Sequence, residues 1–138
     1  MANISPYNIP FENISRLLAL VGQPARIQIL FVIGAREACV CHLEAVLGMR
    51  QASISQHLMA LRKANLVTPC REGRNIFYRL VRPEVLTLLQ QAAQLAGIQP
   101  EAMQRLSRRP VEGCPCPHCN PEMAPGQSCA NLHPKSTQ

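Results

Sequence analysis

The residues of this 138-residue chain best suited to chemistry are its seven cysteines. Cys39 and Cys41 are separated by one residue, and three more cysteines form the run Cys114-Pro-Cys116-Pro-His-Cys119. Thiolates are soft ligands that select thiophilic ions. The cysteine number is odd and no secretory signal is recognised, so metal or redox chemistry in a reducing, cytoplasmic setting is favoured over a disulfide framework.

The spacing of Cys39 and Cys41 has a geometric consequence. Both are expected at the start of a short helix, about Cys39–Leu47, and residues two apart in a regular helix point about 200° away from each other. Both sulfurs can hold one ion only if the backbone there leaves helical geometry, which costs least at a helix start. A helix N-terminus also favours thiolate over thiol. We therefore expect ion binding to distort this helix.

The hydrophobic spacing predicts a mainly α-helical domain with a small β-hairpin. Four helices are predicted at Phe11–Val21, Pro24 to about Gly34, about Cys39–Leu47 and about Gln51–Ala64, and a fifth runs from Pro83 to Gly97. Between the fourth and fifth helices, Leu66–Thr68 and Asn75–Leu80 favour strands around a turn with Gly73 at its tip. A short further helix is expected within Pro100–Arg108. Two short helices joined across Gly48 and followed by a basic hairpin form a winged helix-turn-helix.

The basic residues indicate which surface meets a partner. Residues 50–82 hold seven Arg and Lys residues against Glu72 alone, so the whole net charge of +6 lies in this stretch. Such a field suits a polyanion, here double-stranded DNA, although a solvated basic face is the plainer alternative. Gln56 suits adenine edges, small serines allow close approach in the major groove, and arginines suit phosphates. The candidate DNA-binding residues are Arg50, Gln51, Ser53, Ser55, Gln56, His57, Arg62, Arg71 and Arg74, with Lys63 as a further phosphate anchor.

Some of these side chains have a structural alternative. Ser53 and Ser55 also suit capping of the fourth helix. His57 is as well suited to packing or phosphate contact as to contacting a base.

Composition divides the chain into three parts. Residues 1–10 form an arm, residues 11–98 the winged-helix domain, and residues 99–138 a tail that holds six of the twelve prolines within its last 29 residues. A segment of this kind is poorly ordered unless something ties it down. No apolar run is long enough to span a membrane, so we expect no membrane partner.

Two motifs resemble those of the ArsR/SmtB family of metal-sensing repressors. The stretch Gln51–Val67 is similar to the family's recognition-helix pattern, S-x-[VI]-S-x-H-L-x-x-L-R-x-A-G-L-V, with Asn65 in place of the usual Gly. Residues 71–80 are similar to its wing pattern, and the resemblance covers about residues 14–97. It implies a homodimeric repressor whose first and fifth helices form the dimer interface.

Cys39-Val40-Cys41 resembles the C-V-C motif of the arsenite-sensing and cadmium/lead-sensing branches of that family. The arsenite branch commonly continues to a third cysteine, whereas this chain continues His42-Leu43-Glu44. The missing ligands must come from elsewhere, and the tail is the obvious source. The predicted metal ligands are Cys39 and Cys41 with one or two of Cys114, Cys116 and Cys119, from the same chain or from the partner chain of a dimer. A three-sulfur site suits As(III) or Sb(III), and a four-sulfur site suits Cd(II), Pb(II) or Zn(II).

Three other residues are expected outside this site. His42 is expected on the helix surface, Cys70 as a small strand residue and Cys129 as a bystander.

The predicted function is therefore that of a repressor which binds operator DNA without an ion and leaves it when a thiophilic ion binds. The alternatives are a redox or sulfide sensor that uses cysteine pairs and a purely structural zinc knuckle in the tail. An enzyme is not expected: Cys116-Pro-His-Cys119 resembles a thiol–disulfide oxidoreductase site, but that chemistry needs the pair at a helix start in a βαβ unit.

Overall fold

The helices follow the predicted order, and a strand appears where none was predicted. The structure is a computed structural model that describes residues 9–117 and 119–120. The elements are α1 (Phe11–Val21), α2 (Pro24–Ile33), β1 (Glu37–Cys39), α3 (Val40–Leu47), α4 (Gln51–Lys63), β2 (Val67–Glu72), β3 (Asn75–Leu80), α5 (Glu84–Leu95), α6 (Pro100–Gln104) and a 3-10 turn (Arg105–Ser107).

The core is built around α2. Its residues Ile29–Ile33 are all buried, so the C-terminal half of this helix is enclosed on every side. Ile54, Leu58 and Leu61 of α4, whose spacing predicted an apolar helix face, are fully buried against it. Burial of such side chains stabilises a fold by roughly 1.5–3 kcal/mol each. The recognition helix is thus anchored by one face and leaves the other outside.

The sheet has three antiparallel strands in the order β1-β3-β2, rather than a hairpin alone. β1 pairs Cys39 with Phe77, and β2 pairs Cys70 with the same Phe77. The prediction that Cys39 begins a helix is wrong, since Cys39 ends β1 with extended backbone angles of −90° and 170°. A three-residue strand depends on hydrogen bonds from β3, and no local pattern marks it.

Two residues with left-handed backbone shape the helix-turn-helix and its exit. Gly48 ends α3 at a φ of 68°, and its amide reaches the Glu44 carbonyl at 2.8 Å. Asn65 follows α4 at a φ of 61°, as expected for a residue that replaces Gly at a left-handed helix end. The expected serine caps are wrong, because Arg50 precedes α4 and no side chain caps it.

The segment after α5 folds back onto the domain as far as residue 120. The Arg109 guanidinium donates hydrogen bonds to the carbonyls of Val32, at 3.1 Å, and Glu37, at 3.0 Å. These bonds bring the cysteine-rich segment beside β1 and α3.

Among the described residues, no single helix has the length and apolar character needed to cross a membrane. The bent pair of α1 and α2 meets that test by length and composition only, and half of α2, Ile29–Ile33, is buried in the core.

Candidate metal centre and nucleic-acid interface

Cys39 and Cys41 lie together at the junction of β1 and α3. Their Sγ atoms are 2.8 Å apart, with Cys39 buried and Cys41 half-buried. This proximity arises because Cys39 is in strand geometry, so the two side chains do not follow the helical separation of about 200° that is expected for residues two apart. The backbone at Cys39 has therefore left helical geometry while α3 itself is intact. The two sulfurs come together without the expected distortion of α3.

The tail cysteines are buried beside this pair. Cys114, Cys116 and Cys119 are at most 8% exposed, although no helix or strand contains them. Tight turns hold them, and the Asn120 side-chain amide donates to the carbonyls of Cys114 at 2.7 Å and Cys116 at 3.0 Å. The backbone N–H of Val111 donates to Cys119 Sγ at 3.2 Å. The segment thus presents its three sulfurs inward.

His42 is part of the same cluster, and the expectation that it lies on the helix surface is wrong. Its side chain is 1% exposed, and its Nδ1 lies 3.3 Å from Cys119 Sγ. Nε2 is buried without a hydrogen-bond partner among the described residues. Sequence reasoning missed this residue because the tail that covers α3 comes from about 70 residues further along the chain. The sequence feature that could have pointed to His42 as a ligand was its position next to the candidate ligand Cys41.

The ligand atoms form two overlapping groups. One contains Cys39, Cys41 and Cys114, the other contains His42, Cys114, Cys116 and Cys119, and within each group all ligand atoms lie within 4.8 Å of one another. Cys114 belongs to both. All five predicted metal-binding cysteines are therefore brought together within one chain, whereas Cys70 belongs to neither group and Cys129 lies outside the described residues.

Charge in the cluster is unevenly distributed. A hydrogen bond between the two groups lowers the pKa of Cys116 to about 3 and raises the pKa of Cys39. Burial raises the pKa of Cys114 and Cys119. Burial, and then the charge of Arg36, lower the pKa of Arg109, while the neighbouring cysteines oppose that shift.

The predicted DNA-binding residues lie outside the core, on α4, just before it and at the hairpin tip. Ser53 and His57 are half-buried; the exposed members of the set are Arg50, Gln51, Ser55, Gln56, Arg62, Lys63, Arg71 and Arg74. A basic, polar surface therefore covers the outer side of α4 and the wing.

His57 is tied to the scaffold by a hydrogen bond. Arg26 Nε donates to His57 Nδ1 at 3.1 Å, and Arg26 Nη1 donates to the Leu20 carbonyl at 2.9 Å. Burial, and then the charge of Arg26, lower the pKa of His57. This side chain therefore contributes to holding α4 against α2.

Comparison with known proteins identifies the family to which this chain belongs. A family model described as bacterial regulatory protein, arsR family, matches residues 23–68. The HTH-type transcriptional regulator KmtR of Mycobacterium tuberculosis is 33% identical over 91 residues, which are 64% of this chain and 70% of that protein. The chain belongs to the arsR family of bacterial regulatory proteins. Another family relative, the transcriptional repressor SmtB homolog of Synechocystis, is 28% identical over 82 residues, 59% of this chain, and only 62% of that relative's length is spanned.

Solved structures of the family agree with the fold. NolR from Sinorhizobium fredii matches with a TM-score of 0.59 at 29% identity, covering 72% of this chain and all of that one. The homodimeric winged helix-turn-helix DNA-binding domain Mb0332 from Mycobacterium bovis matches with a TM-score of 0.57 at 26% identity, over 70% of this chain and 91% of that one. The predicted fold is confirmed. KmtR and the SmtB homolog are named as transcriptional regulators, which gives the oxidoreductase alternative no support.

Proposed function

We propose that this chain is a transcriptional repressor that binds operator DNA as a homodimer and leaves it when As(III) or Sb(III) binds Cys39, Cys41 and Cys114. The observation that carries the proposal is the three-sulfur group itself, whose sulfurs converge within 4.8 Å. A trivalent ion with three thiolate ligands needs no further donor, whereas Cd(II) and Pb(II) suit a four-sulfur site. Thiolates select such soft ions over the hard cations of the cell.

The position of this group links ion binding to the DNA-binding elements. Cys39 belongs to the sheet that continues into the wing, and Cys41 belongs to α3, which joins α4 through Gly48. Cys114 arrives from the tail. An ion bound to all three sulfurs fixes the tail, β1 and α3 relative to one another. It thereby changes the relative populations of the positions that the wing and α4 adopt. Such coupling is typically about 1–3 kcal/mol and is reciprocal, so DNA weakens ion binding equally.

The DNA side of the proposal rests on exposure and charge. Gln51, Ser55 and Gln56 lie on the outer face of α4, where they would meet base edges in the major groove. Arg71 and Arg74 flank the tip of the wing, where they would meet phosphates or an adjacent groove. The basic stretch thus supplies both base contacts and backbone contacts.

The homodimer is proposed from apolar side chains that a single chain leaves uncovered. On α1, Ile14, Leu17 and Leu18 are 41–50% exposed, and Leu95 at the end of α5 is 91% exposed. Contiguous apolar patches of this kind mark interaction surfaces. A second copy is the proposed occupant, as in the homodimeric relative.

The experiment is a DNA-release titration. A duplex selected by the protein from a random-sequence library is bound under reducing conditions, and arsenite, antimonite, Cd(II), Pb(II) and Zn(II) are added while fluorescence anisotropy is followed. The proposal expects release by arsenite and antimonite at the lowest concentrations, and no release in the Cys39→Ser/Cys41→Ser variant. Tighter DNA binding with any of these ions, or full release from the double variant, contradicts it.

A redox or sulfide sensor remains the second candidate, because the 2.8 Å separation of Cys39 and Cys41 sulfurs also suits oxidation of the pair. Thiol counting after treatment with peroxide, or with a polysulfide as oxidant, compared with arsenite treatment, separates the two. Release of DNA with loss of two thiols by peroxide, and no response to arsenite, favours the second candidate.

A further inference from the structure

We propose that His42, Cys114, Cys116 and Cys119 form a Cys3His site for Zn(II), distinct from the Cys39/Cys41 pair, which fastens residues 109–120 to α3. The proposed inducer group shares Cys114 with this site. The inference nevertheless stands without DNA binding or ion-induced release.

The geometry of the four ligand atoms fits a small tetrahedral ion. All four lie within 4.8 Å of one another, and His42 Nδ1 is already 3.3 Å from Cys119 Sγ. Ligand atoms around tetrahedral zinc are separated by roughly 3.5–3.8 Å, from bond lengths of about 2.3 Å to sulfur and 2.0–2.1 Å to nitrogen. A small contraction closes the site, and four protein ligands with no open position are typical of structural zinc.

The state of His42 is a second, independent observation. The ring is 1% exposed, and Nε2 has no partner among the described residues. A buried polar nitrogen without a partner destabilises a fold, because its hydration is lost and not replaced. The nitrogen that faces the sulfurs is Nδ1, which makes Nδ1 the ligand atom, and hydrogen-bonded thiols alone leave this ring incompletely satisfied.

The surroundings of the sulfurs suit a site with excess negative charge. Zn(II) with three thiolates and a neutral imidazole carries a net charge of −1. The Val111 N–H donates to Cys119 Sγ at 3.2 Å, and the Arg109 guanidinium lies at the start of the same segment, bonded to the Val32 and Glu37 carbonyls. Hydrogen bonds and counter-charges of this kind orient and stabilise zinc-bound thiolates.

The tail has little else to hold it in place. The described residues of this segment, 109–117 and 119–120, contain no helix or strand, and Val111 is the partly buried hydrophobic residue that they add to the cysteine cluster. The Arg109 hydrogen bonds anchor only its beginning. A metal cross-link between α3 and Cys114–Cys119 supplies the missing constraint, since metal binding contributes directly to folding in small sites of this kind.

Co(II) substitution tests the site on the full chain. The reduced protein is stripped with a chelator and titrated with Co(II), then with Zn(II) in competition, while visible absorption is recorded. We expect one equivalent of Co(II) with the intense bands of tetrahedral sulfur-rich ligation, displaced by one equivalent of Zn(II). His42→Ala and Cys119→Ser should each weaken Co(II) binding at least tenfold. Circular dichroism checks that both variants fold. Because two different ligands are replaced, the test still has an outcome if one of the variants fails to fold.

Two matched variants give the controls. His118→Ala changes the histidine inside the tail motif, and Cys39→Ser/Cys41→Ser removes the neighbouring sulfurs; both should bind Co(II) with wild-type stoichiometry and band shape. Unchanged binding in His42→Ala, or loss in His118→Ala instead, overturns the assignment of His42. If Cys39→Ser/Cys41→Ser weakens Co(II) binding as much as Cys119→Ser does, the proposal that the zinc site is distinct from the Cys39/Cys41 pair is overturned. DNA release by arsenite is measured in a separate assay. The zinc-site proposal and the proposed function can therefore be contradicted independently of each other.

Discussion

Cys39 pairs with Phe77 across the β1–β3 ladder, so a residue of the candidate three-sulfur group is also part of the sheet that carries the wing. Phe77 is fully buried and pairs on its other side with Cys70 of β2. A close-packed side chain of this kind leaves no slack for independent movement. Displacement of Cys39 is therefore transmitted to both strands of the wing.

The first prediction concerns Cys39 and Cys41. In the wild-type protein, arsenite should weaken DNA binding by roughly 5–150-fold, which corresponds to the usual coupling of about 1–3 kcal/mol. In Cys39→Ser/Cys41→Ser, DNA affinity without ion should stay within about twofold of wild type and the arsenite effect should vanish, because serine lacks a soft ligand atom. Anisotropy with and without arsenite measures both quantities. Ala45→Ser, at an exposed position of α3, is the matched control and should respond normally.

A second prediction separates Cys114 from Cys119. Cys114 lies in the group with Cys39 and Cys41, whereas Cys119 does not. Cys114→Ser should raise the arsenite concentration for half-release at least tenfold, since a three-sulfur ion loses one of its bonds. In chelator-treated protein, where the loss of Cys119 cannot act through a zinc site, Cys119→Ser should shift it much less. Equal shifts in the two variants, measured on the same duplex, would show that the inducer uses the whole cluster.

The wing and the recognition helix should contribute in different ways to DNA binding. Arg74→Ala should weaken binding to all duplexes alike and lower the slope of log affinity against log salt by roughly 1, as expected when one phosphate contact is lost. Gln56→Ala should leave the slope unchanged and reduce discrimination between the selected duplex and its point variants, by about 1–3 kcal/mol at one position. Arg105→Ala, an exposed arginine outside the basic stretch, should change neither quantity.

The fourth prediction is a pH dependence from His57. Its pKa is lowered in the folded chain, first by burial and then by the charge of Arg26, so the unfolded chain binds the proton more tightly. The stability from this group is present above the unfolded pKa of about 6.5 and is lost as pH falls below it. Urea unfolding between about pH 7.5 and about pH 5 should therefore show a steeper loss for wild type than for His57→Asn, which keeps an acceptor for Arg26 but does not titrate. Parallel pH profiles for the two proteins would contradict this role.

Much of the fold followed from local pattern. The spacing of Ile54, Leu58 and Leu61 marked the buried face of α4, and Asn65 was correctly identified as a left-handed helix end. Both features depend on residues within one helix and its end, where the chain itself sets the distances. The basic surface followed from the same local information, because residues 50–82 carry the whole net charge.

Contacts between residues far apart in the sequence could not be predicted from such local patterns. Glu37–Cys39 became a strand because β3 offers it hydrogen bonds, and that pairing removed Cys39 from the helix in which local spacing had placed it. His42 became a buried residue because Cys119 covers it from 77 positions away.

What the sequence by itself determined is the kind of chemistry and the DNA-binding architecture, since thiols, basic residues and helical periodicity are properties of short stretches. Which thiols lie close enough to share one ion, and that an imidazole lies among them, was decided only by the tertiary structure. Ligation requires atoms to converge within a few ångströms, and the folding of residues 109–120 onto β1 and α3 sets those distances.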